Sequence, residues 1–136
     1  MSGIEHRKSA PKHLRVAVLT ISDSRAAAMR DGRDEDISGK IIERRLQKAG
    51  HESTRLIVPD EARQIRAAVK KFISDKKIDA VITTGGTGIT SRDVTIETLQ
   101  PLFEKELPGF GEILRHQGYQ KVGGPAILTR ATAGLI

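Results

Sequence analysis

Residues 14–21 read LRVAVLTI, a run that is apolar at almost every position and rich in β-branched side chains. A strand with one wet face alternates apolar and polar residues. This run does not alternate, so both of its faces must be covered. That requirement selects a sheet held between helices over a sheet with one solvated side. Residues 79–84 (DAVITT) have the same character, and residues 52–58 read as another strand, ended by Pro59-Asp60.

Helical patterns fill the gaps. Residues 38–49 place Ile42, Leu46 and Ala49 on one stripe, with Ser38 as the expected cap and Gly50 as the stop. Asp60 is placed to cap a second helix whose stripe is Ile65, Val69, Phe72 and Ile73. The polar segment 22–37, which holds Asp23, Asp31, Asp34 and Asp36, reads as a loop at the C-terminal end of the first strand. The order β–loop–α–β–α–β predicts an α/β sandwich with a mostly parallel sheet. Further along, residues 94–99 are helical in flavour until Pro101. Residues 109–117 read as a helix with Phe110, Ile113 and Leu114 facing inward, and residues 126–130 as a late strand.

Composition removes several function classes. A chain of 136 residues is one domain's worth, and 38% hydrophobic with 29% charged residues is globular rather than disordered. The absence of Cys excludes disulfide scaffolds, thiolate metal sites and cysteine nucleophiles. No apolar run is long enough for a membrane span, and the polar, basic N-terminus does not resemble a signal peptide, so a cytoplasmic location is expected. Half of the +6 net charge sits in residues 1–15. Residues 1–12 read as a flexible basic arm ahead of a domain covering 13–136. Aromatic residues are only 3%, with no Trp, so stacking platforms for single-stranded nucleic acid are scarce. The charge instead suits the approach of a small anionic substrate. His6, His13, His51 and His116 have no metal-ligand spacing, and no serine-hydrolase elbow is present.

The strongest chemical signal is Thr83-Thr84-Gly85-Gly86-Thr87-Gly88, at the end of the third expected strand. Glycines let backbone N–H groups converge on an anion, and the Thr84 and Thr87 hydroxyls can donate to phosphate oxygens. Neither a Walker A loop nor the dinucleotide fingerprint is present. A tight strand-to-helix turn would use the same glycines. Arg92 is a candidate phosphate ligand, and Asp93 suits Mg²⁺ beside a phosphate or, equally, a helix cap. Asp60 and Ser22-Asp23 end their strands on the same expected rim. Three acidic strand ends on one rim point to a site more strongly than helix capping alone.

The segments LTISDSR (19–25), DISGK (36–40), PDE (59–61), TTGGTGITSRDVTIETLQPLF (83–103), ELPGFGEILR (106–115) and LTRATAG (128–134) occur in that order. Together they resemble the MoaB/MogA family of molybdenum-cofactor biosynthesis proteins, a module found also in the plant Cnx and animal gephyrin proteins. The charged segment after Ser22, followed by Asp-x-Ser-Gly, leans toward the MoaB branch. The resemblance implies a three-layer α/β/α fold that assembles as a homotrimer or homohexamer. It implies binding of molybdopterin and Mg-ATP, transfer of AMP to the pterin's terminal phosphate, and release of pyrophosphate. Asp60 and Asp93 fall on the family's essential acidic positions and would share Mg²⁺. Gly85, Gly86, Thr87 and Gly88, with Thr84 and Arg92, fall on the substrate cradle, lined also by Ser22 and Asp23. Family members usually continue past the Ala-Gly segment into a further strand, loop and helix, so the C-terminal part of the family domain is expected to be missing here. Some bacterial members lack the acidic residue after the glycine loop, whereas Asp93 is present in this chain. A non-catalytic pterin-binding or scaffold protein of the same pathway is the alternative reading.

Overall fold

The computed structural model of the chain describes residues 2–136. Its centre is β1 (Arg15–Ile21), buried from Val16 onward. Parallel to it lie β2 (Glu52–Val58) on one side and β3 (Ala80–Thr84) on the other, giving the strand order β2-β1-β3. The registers pair Leu19 with both Leu56 and Thr83, and Thr20 with both Ile57 and Thr84. The strand at the middle is therefore the one whose sequence demanded two covered faces.

Those faces carry different partners. Ala17, Leu19 and Ile21 pack with Val58 against Ile65, Ala68, Val69 and Phe72 of α4 (Ala62–Ser74) and Leu99 of α5 (Thr95–Leu99). The opposite face, with Val16, Val18 and Thr20, meets α3 (Ile37–Lys48). The α/β/α layering expected from the sequence is present. Ile73, expected in the α4 stripe, is 41% exposed and lies outside the core cluster.

Within the basic stretch ahead of β1, residues 3–9 form a short helix, α1 (Gly3–Ser9), with a reciprocal capping box between Ser2 and Glu5 and no buried residue. Several local expectations are corrected. The expected loop after β1 contains α2 (Asp23–Arg30), capped by the Ser22 side chain accepting from the Arg25 N–H. Three consecutive alanines in that segment supply helix propensity that its polarity masked. The cap of α3 is Asp36, not Ser38. Asp36 is fully buried and accepts from the Gly39 N–H at 2.9 Å and the Thr20 hydroxyl at 2.7 Å. Gly39 is required there, since a Cβ would overlap Asp36 Oδ2 and stand 2.7 Å from Thr20 Oγ1. Arg55 on β2 ties the same segment down, donating to Asp36 (3.0 Å), Asp34 (2.6 Å) and Glu43 (2.9 Å). Neither Asp60 nor Asp93 caps a helix by its side chain; the N-caps of α4 and α5 are Glu61 and Val94, and neither makes a side-chain cap bond.

The C-terminal third also differs. A 3₁₀ turn over Gln100–Leu102 precedes β4 (Lys105–Glu106), which pairs antiparallel with β5 (Gly134–Leu135). Between them run α6 (Pro108–Val122) and a 3₁₀ segment, Gly124–Leu128, where a late strand was expected. α6 packs on that 3₁₀ segment, so Phe110, Ile113 and Leu114 are exposed at 51%, 64% and 40% rather than facing a core.

Candidate functional site

Parallel strands β1, β2 and β3 all end at one edge of the sheet. After β1 the chain crosses to β2 on one flank, and after β2 it crosses back over β1 to β3 on the other. The loops leaving β1 and β3 meet at the C-terminal strand ends, the position where open α/β sheets bind ligands. At this edge stand Ser22-Asp23 from β1, Asp60 from β2, and the glycine loop from β3.

The glycine loop is shaped by close approach. Gly85 (φ +96°) lies against the end of β1, where a Cβ would overlap the Ile21 carbonyl oxygen. Gly86 (φ +65°) faces Thr95 and Asp60; a Cβ there would overlap Thr95 Oγ1 and stand 2.9 Å from Asp60 Oδ1. At Gly88 a Cβ would lie 2.7 Å from Asp93 Oδ2. Asp60 and Asp93 thus flank the loop at its two ends, one beside Gly86 and the other beside Gly88.

Each carboxylate is held. Asp60 and Asp23 form a reciprocal pair: Asp60 Oδ2 accepts from the Asp23 N–H at 2.9 Å, and Asp23 Oδ1 accepts from the Asp60 N–H at 3.0 Å. Arg92 grips Asp23 with Nη2 on both carboxylate oxygens at 2.9 Å and Nε at 3.2 Å. The Arg92 guanidinium, followed by the Asp60 N–H, holds the Asp23 carboxyl below its ordinary range. Asp93 Oδ2 accepts from the Thr90 hydroxyl at 2.7 Å and the Thr90 N–H at 2.9 Å, closing residues 90–93 into a turn. These bonds, the hydroxyl foremost, lower the Asp93 pKa as well, so Asp93 is ionised at neutral pH.

The structure thus gathers Ser22, Asp23, Asp60, Thr84, Gly85, Gly86, Thr87, Gly88, Arg92 and Asp93 on one rim. The Ser22 hydroxyl is occupied in capping α2, and Arg92 is engaged by Asp23. Two residues that sequence reasoning did not single out also shape the loop. Thr95, fully buried, donates its hydroxyl to the Gly85 carbonyl (2.9 Å) and its N–H to the Gly86 carbonyl (3.1 Å). Arg130 reaches the loop from the far end of the chain. The sequence shows Thr95 only as the second residue of a short helical stretch. It shows Arg130 only as one basic residue in LTRATAG.

Among the described residues, no three His, Asp or Glu side chains gather into a preformed metal cage. The donor set still fits Mg²⁺, which takes hard oxygen ligands and is commonly held by one or two carboxylates while substrate phosphates and water fill its shell. Asp60 and Asp93 are such carboxylates beside an amide-lined loop. An ionised carboxylate next to an anion site would repel a phosphate unless a cation stood between them.

Comparison with known proteins decides the family. Residues 17–136 match the model of the "probable molybdopterin binding domain". The chain belongs to the MoaB/MogA family. It is 47% identical over 132 residues to the molybdopterin adenylyltransferase of Pyrococcus furiosus, covering 97% of this chain and 75% of that protein. It is 46% identical over 138 residues to molybdenum cofactor biosynthesis protein B of Bacillus subtilis, covering 100% and 78%. The crystal structure of a molybdenum cofactor biosynthesis protein B superposes with a TM-score of 0.83 at 42% identity, covering 94% of this chain and 77% of that one. The crystal structure of the tungsten cofactor synthesizing protein MoaB from Pyrococcus furiosus gives 0.78 at 46% identity, covering 92% and 74%.

Proposed function

We propose that this MoaB/MogA chain is a molybdopterin adenylyltransferase, acting in molybdenum cofactor biosynthesis by transferring AMP from ATP to the terminal phosphate of molybdopterin. One observation carries the reading. A glycine loop at the C-terminal ends of β1 and β3 is flanked by Asp60 and Asp93, in a chain 47% identical to a protein of that name. An oxygen of the pterin phosphate attacks the α-phosphorus of ATP. A P–O bond forms there as the bond to the β-phosphate oxygen breaks, and pyrophosphate leaves with that electron pair.

The phosphate nucleophile is already ionised at neutral pH, so the site needs no strong general base. What it needs is relief of repulsion between two anions, and in-line placement. Amides of Gly86 and Thr87 point away from the Thr95 side of the loop and offer fixed dipoles to phosphate oxygens. Thr84 and Thr87 supply hydroxyls on the same rim. Arg92 neutralises the Asp23 carboxylate on that rim, so that this acid does not repel an arriving phosphate. Asp60 and Asp93 would hold Mg²⁺, which when bound supplies charge neutralisation at the phosphates and the leaving pyrophosphate.

The same proposal includes assembly of several copies of this chain, supported by the apolar residues of α6 left exposed, with sedimentation velocity as the check. It also includes a cytoplasmic setting; no helix among the described residues is long and apolar enough to cross a membrane.

Pyrophosphate release from molybdopterin, ATP and Mg²⁺ tests the activity. Asp93→Asn keeps an oxygen to accept from Thr90 but removes the charge. It should cut release by more than about 100-fold while circular dichroism and pterin binding persist. Normal turnover by that variant would exclude a metal role for Asp93. Pterin binding by the wild type with no pyrophosphate would establish a non-catalytic binder.

A further inference from the structure

The glycine loop displays a one-sided pattern of carbonyl bonding. Thr95 takes the carbonyls of Gly85 and Gly86. Arg130 takes the next two: its Nε donates to the Gly88 carbonyl at 2.8 Å and to the Thr87 carbonyl at 3.3 Å. Its Nη2 donates to the Asp93 carbonyl at 3.1 Å, and the guanidinium is paired with Glu97 on α5. All peptide bonds among the described residues are trans. In a trans peptide the C=O and the following N–H point in opposite directions. Fixing the carbonyls of Thr87 and Gly88 therefore aims the N–H groups of Gly88 and Ile89 away from Arg130, the Gly88 N–H toward the Asp93 carboxylate, just as Thr95 aims those of Gly86 and Thr87.

We propose that Arg130 is a positioning residue. It sets the direction of the second half of the amide cradle, and it joins that half to Asp93 by bonding the Asp93 carbonyl. Its guanidinium is suited to this work. The planar fork reaches three carbonyls and a carboxylate at once, which a single ammonium cannot do. Without it, Gly88 loses its tether; glycine's freedom then lets the peptides on either side of it rotate. The Arg130 side chain is about one-third exposed and lies outside the core cluster, so its removal should loosen the loop more than the fold.

The proposal rests on the adenylyltransferase reading for the identity of the ligand, not for the loop's geometry. The test measures three quantities on wild type and Arg130→Lys: amide hydrogen exchange of residues 86–89, equilibrium binding of molybdopterin, and pyrophosphate release. With molybdopterin bound to both proteins, exchange at Gly88 and Ile89 should be at least tenfold faster in Arg130→Lys than in wild type, while β1 amides stay protected. Molybdopterin should bind about 10-fold more weakly, and kcat should fall further than binding does. Unchanged loop exchange and binding would overturn the role of Arg130. If Arg130→Lys fails to fold, Glu97→Gln weakens the same clamp from its exposed end. That variant should give a smaller change in the same direction, and no change in loop exchange would likewise overturn it. A wild type that binds molybdopterin with protected loop amides but releases no pyrophosphate would sink the proposed activity and leave the role of Arg130 intact.

Discussion

Replacing Gly86 with alanine tests how tightly the fold and the site are joined. Two costs apply. The left-handed backbone (φ +65°) costs a non-glycine residue about 1–2 kcal/mol. The new Cβ also overlaps Thr95 Oγ1 and stands 2.9 Å from Asp60 Oδ1. Thr95 is fully buried and β-branched, so it has little freedom to turn aside. If it does turn, its 2.9 Å bond to the Gly85 carbonyl breaks and leaves a polar group unsatisfied, at about 1–3 kcal/mol. The sum is about 2–5 kcal/mol. Gly50 supplies the control. It has φ +87° at the end of α3, and a Cβ there meets nothing within 4 Å. Gly50→Ala should carry the backbone cost alone, about 1–2 kcal/mol, and leave turnover unchanged. Urea denaturation of both variants isolates the contact contribution as the difference. Gly86→Ala should also lose pyrophosphate release at temperatures where it is fully folded, because Asp60 is displaced. If the two variants are equally stable, or Gly86→Ala turns over normally, the close packing of Thr95 and Asp60 around the loop is refuted.

Three further outcomes follow from the same geometry. Arg55→Leu strands the fully buried Asp36 without its cation and should cost about 3 kcal/mol; a loss below about 1 kcal/mol in urea titrations would show that Thr20 and Gly39 suffice. Arg55 lowers the Asp34 pKa from 3.8 to about 2. A carboxyl depressed in the folded state stabilises above its unfolded pKa, and that contribution disappears as pH falls through the folded value. Stability should therefore drop between about pH 4 and pH 2, and Asp34→Asn should flatten this part of the acid limb; an unchanged limb would remove Asp34 from the account. Asp93→Asn should separate chemistry from binding in the pyrophosphate assay described above.

Fold and site were legible in the sequence to different degrees. Non-alternating β1, the one-sided stripe of α4 and the glycine loop after β3 are local patterns whose physics lies within a few residues, and each stands where its pattern placed it except Ile73, which is exposed. α2 was hidden because its stabilisation comes from the Ser22 cap and its alanines rather than from an apolar stripe. Phe110, Ile113 and Leu114 have helical spacing, but spacing does not say whether anything lies opposite; in this chain α6 rests on the Gly124–Leu128 turn instead of the sheet. The roles of Asp60 and Asp93 as loop flanks rather than helix caps could not be read from their positions before Glu61 and Val94, since capping depends on backbone angles set by the whole turn.

Residue types and order alone determined that one strand would be covered on both faces, that helices would alternate with parallel strands, and that glycines would end the third. Only the tertiary structure decided that Asp23 and Asp60 would exchange hydrogen bonds and that Arg130, 42 residues beyond Gly88, would bond its carbonyl. Periodicity reports which side of an element is apolar, through short-range sterics. A hydrogen bond between distant segments exists only once crossovers and register have brought their ends within about 3 Å.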